Sequence, residues 1–261
     1  MKANYLFTLL CLLSAAGLLA QTEALDGREI MLRADNRPDG DDRRSVMHMI
    51  LINKHGKTRE RTILSYAKDY GKDTKTIMYF EEPADVKGTG FLSWEYDDPA
   101  KDDDRWLYLP ALKKVRRIAG SSKNDYFMGS DFTYDDIGGR SVDEDSHELL
   151  REETIDGIDC WVVQSIPKDA DDMYSKVIRW MRKDSFMPSK VEYYDKSGDL
   201  LKVLTLPDMR LHQNFWTAFK WEMNNSQEKH KTVLQIKEMD YNQSVKDNVF
   251  RVSTLERGRI Q

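Results

Sequence analysis

Ser45-Val46-Met47-His48-Met49-Ile50-Leu51-Ile52-Asn53 is a run of apolar and β-branched residues closed by the turn residues His55-Gly56-Lys57. Thr58 to Tyr70 follows as a second such run, then Gly71-Lys72-Asp73 as another turn. Both faces of the first run are largely apolar, whereas a half-exposed antiparallel strand shows polar residues at alternate positions. An ordinary two-layer core gives this pattern. So does a curved sheet that is covered on one side and faces helices or a cavity on the other.

Working outward, the same signal recurs along the chain. Thr74 to Phe80, Val86 to Trp94, Trp106 to Pro110 and Leu112 to Ile118 read as strands in the first half. Ile158 to Ile166, Tyr174 to Arg182, Lys190 to Tyr194, Leu200 to Leu206, Phe219 to Met223 and Thr232 to Met239 read so in the second. The links are short, so successive strands are expected to pair antiparallel. A short helix is expected over Leu25 to Arg33, with Asp26 as N-cap and Glu29 at capping-box spacing. Phe127 to Asp136 lacks clean periodicity and reads as a loop running into a short helix over one end of the sheet. Asp97 to Asp104 is acidic but lacks the glycine and alternating ligands of a calcium loop, so it reads as a solvated hairpin tip. Glycine and proline are spread rather than collected, so one β domain is expected over residues 21–261.

The first twenty residues carry Lys2 and an unbroken apolar run from Leu6 to Ala20, with small residues for cleavage after Ala20 or Ala24. This is the pattern of a secretory signal peptide, too short for a comfortable membrane span, and it places the mature chain outside the cytoplasm. Cys11 lacks the small residues that precede a lipid-modified cysteine. Formal net charge is −5, or about −6 without Lys2, which argues against nucleic acid as a partner. With Cys11 removed only Cys160 remains, in an apolar run that marks it as an inert core thiol.

Catalytic constellations are missing from the sequence. His48, His55, His147, His212 and His230 show no metal-ligand spacing, and Gly129-Ser130-Asp131 lacks the second glycine of a nucleophile elbow. Gly88-Thr89-Gly90 has no following Lys-Ser/Thr, and Gly138-Gly139 reads as a turn. Asp135 and Asp136 fit solvation or helix capping better than acid–base chemistry. Neither an enzyme nor a cofactor is expected. What remains is apolar payload, with 12 Met, 12 Tyr, 9 Phe and 6 Trp, most of it core and some of it suited to an irregular greasy partner.

Several stretches are unusual enough to carry a family resemblance: Asn36-Arg37-Pro38-Asp39-Gly40, Glu82-Pro83-Ala84-Asp85-Val86-Lys87-Gly88-Thr89-Gly90, Trp106-Leu107-Tyr108-Leu109-Pro110-Ala111-Leu112, Val115-Arg116-Arg117-Ile118 and Phe127-Met128-Gly129-Ser130-Asp131-Phe132-Thr133-Tyr134-Asp135-Asp136. From Ile30 to about Leu255 the chain resembles the bacterial outer-membrane lipoprotein-sorting family, the LolA-like periplasmic carriers, in their larger branch associated with RND-type (MMPL-like) exporters. The resemblance implies a mainly β (α+β) fold, an unclosed and strongly curved antiparallel β-sheet with helices covering its concave face. It also implies a carrier that holds lipid or lipoprotein acyl chains noncovalently in a hydrophobic cavity and delivers them toward the outer membrane. Its partners would be an inner-membrane exporter and an outer-membrane acceptor, with only transient membrane contact. The rival is an RseB-like envelope-stress sensor or adaptor of the same shape. The residues assigned to the cavity or its lid are Met47, Met49, Leu51, Leu64, Met78, Phe80, Phe91, Leu107, Phe127, Met128, Phe132, Tyr134, Trp161 and Trp180. Lys113, Lys114, Arg116 and Arg117 are assigned to headgroup or partner contact.

Overall fold

The computed structural model describes residues 25–258, so the expected signal peptide lies outside the described residues. Helix α1 (Gly27–Asp35) starts where the sequence places it: the Asp26 carboxylate accepts from the Glu29 amide at 2.7 Å. Only half of the capping box forms, because the Glu29 carboxylate turns instead to Arg33 at 2.8 Å.

Six strands follow, β1 (Asp42–Ile52), β2 (Thr58–Tyr70), β3 (Asp73–Glu82), β4 (Gly90–Glu95), β5 (Asp104–Leu109) and β6 (Lys114–Ile118). The chain then crosses over through residues 119–144, which include helix α2 (Tyr134–Ile137). Seven more strands return: β7 (Asp145–Ile155), β8 (Ile158–Pro167), β9 (Tyr174–Arg182), β10 (Pro188–Asp195), β11 (Leu200–His212), β12 (Phe215–Asn225) and β13 (His230–Tyr241). A short helix α3 (Val252–Leu255) ends the described chain. The result is one antiparallel sheet of thirteen strands in the order β6-β5-β4-β3-β2-β1-β13-β12-β11-β10-β9-β8-β7, left open between β6 and β7.

Curvature follows from the crossover's contacts. Tyr134 packs against Phe91 of β4 at 5.7 Å between ring centroids, and Asp136 accepts from the Tyr174 hydroxyl of β9 at 2.9 Å. In a flat sheet the eight strand spacings from β4 to β9 would put these partners about 38 Å apart. Two residues of chain reach at most about 7 Å. The sheet therefore curls around the crossover, whose Phe127 and Phe132 are fully buried in the interior.

Alternation along each strand divides the apolar residues between two faces. Met49, Leu51, Ile63, Met78, Phe80 and Phe91 point inward with the crossover. Ile77, Tyr79 and Leu92 point outward, where Phe250 and Leu255 of the C-terminal segment cover them. Helix α1 lies on the inner face at the other end, its Ile30 and Ala34 on Val163 and Met181. The expectation that helices cover the concave face thus holds for α1 and α2, while α3 covers the opposite face. Cys160 is buried on the outer side beside Val162 and Trp180, and burial pushes its thiol pKa up.

The strand reading needs four corrections. Residues 83–89 form a turn, in which the Gly88 amide donates to the Phe80 carbonyl at 2.7 Å, so β4 begins at Gly90. The β11 and β12 strands run on to a hairpin at His212 and Phe215, beyond the apolar stretches that marked them. The acidic tip is solvated only over residues 98–102, because Asp103 turns inward to Arg105 at 2.8 Å. Strand β7 had no sequence signal at all.

Gly27 shows how tightly α1 is laid on that strand. A Cβ there would stand 2.7 Å from the backbone of Glu148 and Leu149. Gly27→Ala is expected to push α1 off β7 and cost about 1–3 kcal/mol, the usual penalty of overpacking. Urea unfolding checks the loss, and faster proteolysis within residues 25–36 checks its location.

Candidate ligand cavity

The curled interior is not filled. A cavity of about 540 Å³ lies between the crossover and the middle of the sheet. Its floor is apolar: Met47 and Met49 come from β1, Ile63 from β2, Met78 from β3, Trp221 from β12, Leu234 and Ile236 from β13, and Phe127, Phe132 and Ile137 from the crossover. Its rim is charged. Asp35 ends α1 and Asn36, Arg37 and Asp39 follow it, while Arg43, Asp69, Thr74 and Glu95 come from the strand ends and Lys72 from the β2–β3 turn. Arg43 reaches Asp39 at 3.4 Å, and Lys72 reaches Asp97 at 3.2 Å. Burial and the nearby carboxylates Asp97 and Asp39 raise the pKa of Asp35, and burial with Asp39 and Asp41 raises that of Asp69.

The crossover is held in place by ion pairs that the apolar pattern does not reveal. Lys202 on β11 is wholly buried and donates to Asp136 at 2.5 Å and to the Asp131 carbonyl at 3.0 Å. The rings of Tyr126, Tyr174 and Tyr193 surround its ammonium at 5.2–5.6 Å. Asp136 also closes the capping box of α2 with Thr133, so one carboxylate fixes both the helix and its seat. Arg140 binds Asp145 at 2.6 Å, Asp172 at 2.8 Å and Asp135 at 3.1 Å. Burial opposes its charge, but the three carboxylates prevail and its pKa rises. Arg105 bridges Asp103 at 2.8 Å and Asp135 at 3.2 Å, yet burial still pushes the Asp103 carboxyl up to about 6. Asp131 takes His230 and the Thr232 hydroxyl, each at 2.7 Å.

Gly138 and Gly139 do more than turn the chain. A Cβ on either would come within 3.2–3.4 Å of the Glu95 carboxylate, so both glycines let the backbone approach that half-buried acid. Among the described residues, no group of three His, Cys, Asp or Glu side chains is placed to hold a metal ion.

Of the residues assigned to a cavity or lid, Met47, Met49, Met78, Phe127 and Phe132 line this cavity. Leu51, Phe80, Phe91, Leu107 and Tyr134 are buried in the same interior, and Met128 packs against it, but none of them lines the cavity. Trp161 lies beneath α1, stacked on Phe186 at 5.2 Å. Leu64 and Trp180 face the wrong way. Leu64 is opposite Tyr79, and Trp180 is opposite Val162, both outer-face residues, because strand parity assigns neighbours in sequence to opposite faces. Phe127 and Phe132 form a plug within the interior, not a lid across its mouth.

Lys113 sits in the β5–β6 turn, and Lys114, Arg116 and Arg117 lie exposed on the open edge strand β6, away from the cavity. Arg117 pairs with Asp104, while the other three have no carboxylate partner among the described residues. Sequence reasoning missed Trp221, Leu234, Ile236 and the rim, as well as Lys202, Arg105 and Arg140. Parity gives the available signal for Lys202, which shares a strand face with Leu204 and Leu206.

A family profile described as "Uncharacterized protein" matches residues 72–257. No curated protein sequence matches the chain. Among solved structures, a DUF1329 family protein from Desulfovibrio piger is 35% identical, with a TM-score of 0.84 over 88% of this chain and 97% of that one. A putative outer membrane lipoprotein-sorting protein domain from Vibrio parahaemolyticus is 33% identical, also with a TM-score of 0.84, over 88% of this chain and 98% of that one. A LolA superfamily protein from Nitrosomonas europaea, 21% identical over 87% of this chain and 98% of that one, has the same fold with a TM-score of 0.69. With its open thirteen-stranded sheet and about a third of the aligned residues identical in both of the first two structures, the chain belongs to the family of DUF1329 and outer-membrane lipoprotein-sorting proteins.

Proposed function

We propose that the protein is a periplasmic carrier that holds a lipid or lipoprotein acyl chain noncovalently inside the curled sheet and passes it toward the outer membrane. The observation that carries this reading is the apolar floor of the cavity, sunk below a charged rim. Its 540 Å³ falls within the range of about 300–1,000 Å³ typical of small-molecule sites. At roughly 30 Å³ per water-sized group, that volume takes about eighteen such groups, the bulk of one long acyl chain. Each methylene moved from water contributes about 0.8 kcal/mol, so a single chain supplies on the order of 10 kcal/mol of gross transfer energy without catalysis or a cofactor. The fold of the LolA carrier superfamily supports the same reading. Lys113, Lys114 and Arg116 on the open β6 edge suit an acidic partner, such as an exporter of the RND/MMPL type or an outer-membrane acceptor. Among the described residues no helix is long and apolar enough to cross a membrane.

Native mass spectrometry of protein taken from periplasm, with lipid extraction, tests the proposal. A stoichiometric acyl-bearing adduct is expected. Ile236→Trp grows a side chain into empty space, so it is expected to cut acyl binding at least tenfold with little change in Tm. A protein that is empty as isolated and takes up no added fluorescent fatty acid would end the carrier reading.

A further inference from the structure

A second hollow lies just outside the first. A groove of about 480 Å³ runs between the end of α1 and the β11–β12 hairpin; Phe186, Leu211 and Trp216 form an apolar strip in it, and its polar lining includes Arg33, Arg37 and Asp184, the last paired with Arg182. Asn36 and Arg37 line both hollows and form the wall between them. Leu211 is 59% exposed beside two aromatic side chains, an apolar strip open to solvent.

Arg37 is in an unusual state for an arginine at such a junction. Its Nη1 donates to the Ala34 carbonyl at 2.8 Å, its Nε is buried without a partner, and no carboxylate pairs with it among the described residues. A guanidinium with donors unspent, standing on the charged rim where the two hollows meet, matches a planar fork for a phosphate.

We propose that cavity and groove are two compartments of one site, which takes a lipid with two acyl chains and a phosphate: one chain inside the sheet, the other along the groove, the phosphate on Arg37. This rests on the carrier reading and gives its ligand a class. At about 540 and 480 Å³, each hollow has room for one chain. The groove's occupant is set by its continuity with the cavity across a single residue pair. Asp35 and Asp39 stand on the same rim, so a headgroup whose phosphate is balanced by an amine fits better than one with further negative charge.

The test compares dioleoyl-phosphatidylethanolamine with its one-chain lyso form, using the delipidated full chain and native mass spectrometry. The two-chain lipid is expected to bind at least tenfold more tightly. Leu211→Glu, a change at an exposed position, is expected to bring its binding down to the lyso level and leave lyso binding unchanged. Arg37→Gln is expected to weaken both. Equal binding of the two lipids by the unaltered protein would overturn the two-compartment site, and so would a Leu211→Glu variant that kept the preference. In either case lyso binding that disappears in Ile236→Trp would leave the carrier reading standing, whereas no binding of either lipid would remove both.

Discussion

Lys202→Met is expected to destabilise the protein by about 3–5 kcal/mol, the cost of leaving one member of a buried ion pair without the other. Lys202 has no exposed surface, and the Asp136 side chain is 5% exposed, so water cannot replace the lost ammonium. Asp136 would keep the Thr133 amide and the Tyr174 hydroxyl, which solvate it only in part. Urea unfolding measures the loss. Combining Lys202→Met with Asp136→Asn removes the stranded charge and preserves the α2 cap, and it is expected to recover about half of the deficit. A single variant within 1 kcal/mol of the unaltered protein would show that the crossover is not seated by this pair.

Phe127→Ala is the second large effect, also about 3–5 kcal/mol, because a fully buried ring is removed and its neighbours close in only partly. The ring stacks on Phe80 at 6.0 Å and meets Phe91 and Tyr134 edge-on at 5.3 and 5.6 Å, so two strands and a helix meet on one side chain. Phe127 also lines the cavity, so the space it vacates joins the proposed ligand site. The variant is therefore expected to lose stability and gain capacity, taking longer chains than the unaltered protein in the same extraction. A stability loss without a change in the chain lengths carried would place the ligand elsewhere.

How far the sequence could be read depended on what each residue has to bury. Strand β9 is marked from end to end because the apolar content of Tyr174 to Arg182 spans the element, whereas the bounds of β2 come from the turns His55-Gly56-Lys57 and Gly71-Lys72 on either side of it, since its own start, Thr58 to Thr62, is polar. Strand β7 is an edge, and its Glu148, Arg151, Glu152 and Glu153 spend their side chains in water or on ion pairs, so no period-two pattern survives. A register shift between Leu149 and Arg151 breaks what alternation remains. The same logic governs the site. Met47, Met49 and Met78 announce themselves as apolar residues, whereas Lys202, Arg105 and Arg140 look like solvent-facing charges until the crossover is laid over them. Leu64 and Trp180 were misplaced because apolar residues fill both faces of this sheet, and composition alone does not fix parity.

Arg43 pairs with Tyr241, and Ile52 with Lys231, so the central seam of the sheet joins the first strand to the last. Each of the other ladders joins strands adjacent in sequence. Two arrays of local hairpins, β1–β6 and β7–β13, are thus available early, but the seam between them waits for nearly the whole polypeptide. Long-range closure of this kind slows folding, since the entropy of the intervening chain is lost before the pairing repays it. A chain built this way can pair its local hairpins as they appear, but it acquires its interior only when its final strand has arrived.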